Sequence, residues 1–184
     1  MTQFNNMKPI FKIPLKYGLI GSLFGIILII VLFYSNRHPL LIPPMFDFRI
    51  ILFGLFIFFG LKEFREYYNG GILNFWQGMV ISFIMYMMIG VVVGVFIIAF
   101  ANLVPEFLEG YITGTIKGME LEKSRLLTEG SITISEEEFN RQVTLLKETS
   151  PMLLAVDYII KSCFIGFFLA IIISVILRRT EKRF

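Results

Sequence analysis

Cysteine and histidine are almost missing from this chain of 184 residues, with Cys163 and His38 the only representatives. A lone cysteine excludes an intramolecular disulfide, and a lone histidine without cysteine companions excludes a zinc-ligand set. Charge is scarce as well: 17% of residues are charged, and none falls between Glu66 and Glu106. Phosphate-binding glycine loops, a Ser-His-Asp set and the HExxH helix are all absent. The expectation is a protein that is not an enzyme and holds no cofactor and no metal. Met79, Met85, Met87 and Met88 offer thioethers to copper(I), but Met87 and Met88 point to different helix faces, and packing explains them better. The acidic run Glu136, Glu137 and Glu138 lies at a predicted helix start, where negative charge suits the helix dipole.

What the chain has in abundance is apolar sequence. Hydrophobic residues make up 56% and the mean hydropathy is +0.75, too apolar for a soluble domain of this length. The net charge of +3 does not point to nucleic acid, because the basic residues flank the apolar stretches and form no single stripe. The partner they imply is the lipid bilayer. Crossing about 30 Å of hydrocarbon takes roughly 20 helical residues. Four stretches qualify, at about 17–34, 45–62, 74–104 and 152–177. The second is the weakest, since Asp47 and Arg49 stand near its start. The first resembles a signal peptide but is long and lacks a small-residue cleavage site, so it reads as an uncleaved span.

Lysine and arginine near span ends stay on the cytoplasmic side. They gather in the N-terminal tail (Lys8, Lys12, Lys16), in the loop between spans two and three (Lys62, Arg65) and in the C-terminal tail (Arg178, Arg179, Lys182, Arg183). The first loop holds only Arg37, and acidic residues outnumber basic ones between Glu106 and Glu148. Both termini are therefore expected in the cytoplasm. The outer segment, about 105–150, is patterned as two helices. Phe107, Leu108, Tyr111, Ile112 and Ile116 recur at helical spacing behind Pro105, and Ser135 with Glu138 makes a capping box ahead of Phe139, Val143 and Leu146. Residues 130–135 would form the turn. The predicted fold is all-α: a four-helix transmembrane bundle with an extracytoplasmic helical hairpin between spans three and four. Small residues four apart (Gly21 and Gly25, Gly90 and Gly94, Gly166, Ala170 and Ser174) let the helices approach closely, and none can be assigned to a homo-oligomer.

Ionisable groups at membrane depth are the candidate site, because they are costly unless paired or solvated. Arg49 precedes Lys62 by about 20 Å of helix and Lys161 precedes Arg178 by about 25 Å, which places Asp47, Arg49, Asp157 and Lys161 in the outer third. One reading is a set of interfacial anchors whose charges snorkel to the headgroups. The other is an outward-facing polar cavity for an ion, a lipid headgroup or a proton, with an Arg49–Asp157 pair across helices. A second candidate is the loop of Lys62, Arg65, Asn69, Gly70 and Gly71. It reads first as a tight turn and orientation signal, and second as a contact for a lipid phosphate or a cytoplasmic partner.

The stretch Gly60-Leu61-Lys62-Glu63-Phe64-Arg65-Glu66, then Asn69-Gly70-Gly71, Phe75 and Gly78, carries a family signature, as does the ending Ile173-Ser174-Val175-Ile176-Leu177-Arg178-Arg179. With the lysine-rich start ahead of Tyr17-Gly18-Leu19-Ile20-Gly21, the chain resembles the domain-of-unknown-function 4199 family over nearly its whole length. The resemblance implies a bacterial inner-membrane protein with four helices and a helical insertion before the last. It supplies no catalytic residues. Members often stand beside glycosyltransferases acting on polyprenyl phosphates, which implies a place in glycan or lipid assembly of the envelope. The leading expectation is a non-enzymatic accessory or scaffold subunit of an envelope complex, with a membrane or envelope protein as partner. The alternative is a small transporter or channel that uses the outer polar cluster.

Overall fold

The computed structural model describes residues 8–43, 46–121 and 135–180, and these form helices with no strand among them. Helix α1 spans Pro9–Tyr34, α2 Phe48–Glu63, α3 Phe75–Leu103, α4 Pro105–Leu121, α5 Glu136–Lys147 and α6 Pro151–Leu177. A 3-10 turn at Pro39–Leu41 joins α1 to α2, and a wider π turn at Phe64–Tyr68 extends α2. Helix starts follow local chemistry. Asp47 caps α2 by accepting from Arg49 N, Ser135 caps α5 by accepting from Glu138 N, and Ser150 caps α6 with Pro151 at the first helical position. Gln77 folds back to accept from Asn74 N and so opens α3.

Helices α3 and α6 lie close to their expected spans, whereas α1 begins at Pro9, well before residue 17. Lys12 and Lys16 therefore belong to the helix, since a charge can end an apolar run without ending the backbone hydrogen bonds. The start expected for span two, near Met45, lies outside the described residues, as do 130–134 of the expected hairpin turn. On either side of that gap α4 and α5 are present and touch each other.

Helix α3 is the spine. It packs most heavily on α6 and α1, while α2 leans on α6 and α1 and less on α3. Its core side chains, Ile81, Met85, Ile89, Val93 and Ile97, are fully hidden. Close approach depends on small residues: a Cβ at Gly21 would lie 2.7 Å from Ile89, one at Gly94 2.8 Å from Ile159 and one at Gly78 2.6 Å from Ser174 Oγ. The outer faces are the reverse of a soluble protein's. Leu23, Phe24 and Val31 on α1, and Ile160, Phe164, Phe168 and Ile176 on α6, are each more than half exposed. Apolar stripes of that extent belong in lipid. Helices α1, α3 and α6 are long and apolar enough to cross a membrane, and the chain is a membrane protein with transmembrane helices. Helix α2, at 16 residues, is about 24 Å long and shorter than the other three.

Candidate functional site

Two charged side chains sit inside the bundle near the end that carries α4. Asp47 and Arg49 are each 8% exposed. Because Asp47 is a capping residue with extended backbone, its carboxylate turns back over the first turn of α2. There Oδ1 accepts from Arg49 N at 2.9 Å, both oxygens accept from Arg49 Nε at 2.9 Å, and Oδ2 also takes Nη2 in a close ion pair. The far edge of the guanidinium reaches α6. Nη1 donates to Tyr158 O and to Ser162 Oγ, both at 3.4 Å, and the guanidinium carbon lies 5.0 Å from the Tyr158 ring centre. Arg49 thereby fastens α2 to α6 through charge, hydrogen bonds and a cation–π contact.

The Arg49–Asp157 pair entertained from the sequence does not form. Asp157 instead accepts from Lys161 Nζ at 2.7 Å along α6, both groups substantially exposed. Counting residues put Asp157 at the right height, but Asp47 is closer because a capping side chain folds towards its own helix. Three of the four predicted residues still meet. Asp47, Arg49 and Lys161 line one cavity of about 420 Å³, closed by the Leu40–Pro43 turn on one side and by Phe164 and Ile165 on the other. Tyr158 and Ser162 were not foreseen; their only signal in the sequence is a polar side chain every fourth residue on the α6 face that also carries Ala155 and Gly166.

Beside this cavity His38 is held by α4. Its Nε2–H donates to Phe107 O at 2.9 Å, while Nδ1 accepts from Leu40 N at 3.4 Å, so the neutral ring has both nitrogens engaged. Burial pushes the imidazole below its ordinary value of 6.5, against the pull of the Phe107 carbonyl. Phe33 meets the imidazole edge to face and the fully buried Phe107 lies tilted against it, while Phe100 packs edge to face on both of those rings. This aromatic block fixes where α4 leaves the bundle.

At the opposite end the second predicted set divides. Arg65 turns inward, and its Nη1 donates to Leu177 O at 3.3 Å, capping a carbonyl that the last turn of α6 leaves free. Asn69 Nδ2 donates to Ile72 O at 2.8 Å and to Gln77 Oε1 at 3.2 Å. Gly70 and Gly71 have φ of 59° and 80°, the left-handed backbone that only glycine takes freely. An isolated bridge then joins Leu73 to Arg179. Lys62 alone of the set points outward, exposed and apart from the clasp. A neighbouring group adds to the clasp: Lys16 Nζ and Tyr17 Oη both donate to Glu63 Oε2 at 2.7 Å, tying α1 to α2.

These contacts bring together stretches far apart in the chain, the segment 60–78 and the ending 173–179. A family model described as a protein of unknown function, DUF4199, matches residues 16–179. The chain belongs to the DUF4199 family. Within the matched length the two stretches meet in one structural clasp: Arg65 on Leu177, Leu73 on Arg179 and Gly78 on Ser174. No curated protein and no solved structure matches the chain. Among the described residues no group of three or more histidine, cysteine or acidic side chains could hold a metal ion.

Proposed function

We propose that this DUF4199 protein is a four-pass protein of the bacterial inner membrane, with both termini in the cytoplasm and α4–α5 outside. Its role is that of a non-enzymatic accessory or scaffold subunit of an envelope complex. The observation that carries this reading is the way α4 is mounted. Phe107 is fully buried in the block of Phe33, His38 and Phe100, so α4 is held at its base while most of its length and of α5 stays outside the bundle core. A helix pair fixed at one end, and covered by none of the other described helices along the rest, suits contact with a second protein. On this reading α2 is the fourth span, with the Asp47–Arg49 tie keeping its charged start satisfied where the lipid begins. The charge asymmetry of the loops supports the orientation.

Installing a photo-reactive amino acid at Leu145, an apolar residue 57% exposed on α5, tests the role. Irradiation of cells is expected to give one discrete protein adduct that co-purifies in stoichiometric amount. Adducts with lipid alone would contradict a scaffold role. The transporter alternative draws on the cavity at Arg49, but that cavity lies beside a guanidinium already bound on two helices and opens next to the lipid-facing Phe164. A lateral pocket of this kind suits a resident molecule better than a path.

A further inference from the structure

We propose that the cavity between the Leu40–Pro43 turn and α6 binds an anionic phospholipid, its phosphate at Arg49 and Lys161 and one acyl chain running down α6 past Phe164. Hydrogen-bond bookkeeping fixes the polarity of the ligand. Asp47 is saturated, accepting from Arg49 N, Nε and Nη2. The cations are not: lysine carries three N–H donors, of which Asp157 takes one, and the second N–H of Arg49 Nη2 has no partner among the described residues. A cavity whose cations hold surplus donors while its one carboxylate is already taken up calls for a ligand rich in acceptor oxygens, and a phosphate diester is one.

The walls fix the rest of the ligand. Leu40, Leu41, Ile42, Pro43, Phe164 and Ile165 make most of the lining apolar, which disfavours a small hydrated anion. Phe164 is shared with a second groove of about 250 Å³, lined also by Tyr86, Cys163 and Phe167 and almost wholly apolar. Cys163 Sγ–H donates to Met87 Sδ at 3.2 Å, so even that thiol is turned away from a polar role in the groove. The two volumes share the Phe164 side chain, the charged one lying towards α2 and the Leu40–Pro43 turn and the apolar one towards Tyr86 on α3. Phe164 is 64% exposed, so both open towards the bilayer, where a lipid enters sideways. A charged head over a greasy slot has the shape and polarity of a phospholipid.

The test uses the full chain in a neutral detergent, with bound lipid counted by native mass spectrometry. Phosphatidylglycerol is expected to be retained about tenfold better than phosphatidylcholine of the same chain length. The paired variant Lys161→Gln/Asp157→Asn removes the exposed cation without stranding its carboxylate, and is expected to erase that preference. Arg178→Gln, a cation lost at the other end of α6, is expected to leave it intact. Equal retention of the two lipids by the wild-type chain would overturn the proposal, as would an equal loss in both variants. Displacement of phosphatidylglycerol by millimolar inorganic phosphate would overturn it too, marking a site for a free anion.

Discussion

Replacing Arg49 by methionine is expected to destabilise the protein by about 3 kcal/mol, and adding Asp47→Asn to the same chain to recover most of that loss. The methionine keeps much of the stem volume but leaves a carboxylate that is 8% exposed without its counter-ion. An uncompensated buried charge costs more than the intact pair contributes, so removing one partner is worse than removing both. Asparagine suits the second position because it still caps α2 by accepting from residue 49 N, as Asp47 does. Asp47→Asn alone leaves the guanidinium bound to Tyr158 O, Ser162 Oγ and the Tyr158 ring, and is the milder single change. Thermal or denaturant unfolding of all four chains in one detergent gives the cycle. Losses that simply add would show that the pair is not coupled.

The second large effect is expected at Gly166. A Cβ there would collide with the Tyr86 ring, which is 3% exposed and held edge-on by Phe83 at 5.6 Å between centres. Gly166→Val must therefore push α6 off α3, across the most extensive helix contact in the fold. Overpacking of this kind costs about 1–3 kcal/mol or more. Gly54→Ala on α2 is the matched control, because a Cβ there meets nothing within 4 Å, and helix propensity alone favours alanine by about 1 kcal/mol. Unfolding midpoints should move in opposite directions for the two variants. A Gly166→Val chain as stable as the wild type would contradict the packing of α3 on α6.

The long apolar helices were legible because nothing competes with lipid for such runs, whereas the caps that start two of them, Asn74 with Gln77 and Ser150 ahead of Pro151, show only in the structure. The small residues at four-residue spacing were read correctly as close-packing points for the same reason: a missing side chain has one structural meaning when its neighbours are large. Arg49 was harder. Helical height placed it opposite Asp157, yet the decisive partner stands two residues upstream in extended backbone, where no helical count applies. Arg65 shows a different limit. As a charge in a loop it reads as an orientation signal, and only the approach of the α6 terminus reveals it as a cap for Leu177 O. Contacts between residues more than a hundred positions apart leave no local trace in one sequence. His38 reads in the sequence only as a histidine without ligand companions, and its hold on Phe107 depends on where α4 lands.

The four-pass arrangement turns on α2, since three crossings would leave the termini on opposite sides. The most direct measurement is labelling of single cysteines, in a Cys163→Ser background, with a maleimide that cannot cross membranes. Cysteines at Asn140 on α5, at Lys8 and at Thr180 sample the α4–α5 pair and the two ends of the described chain. Intact spheroplasts are expected to label only the Asn140 site, with Lys8 and Thr180 reacting together once the membrane is opened. Labelling of exactly one of Lys8 and Thr180 in intact spheroplasts would mean that α2 does not cross, and would contradict the four-pass reading.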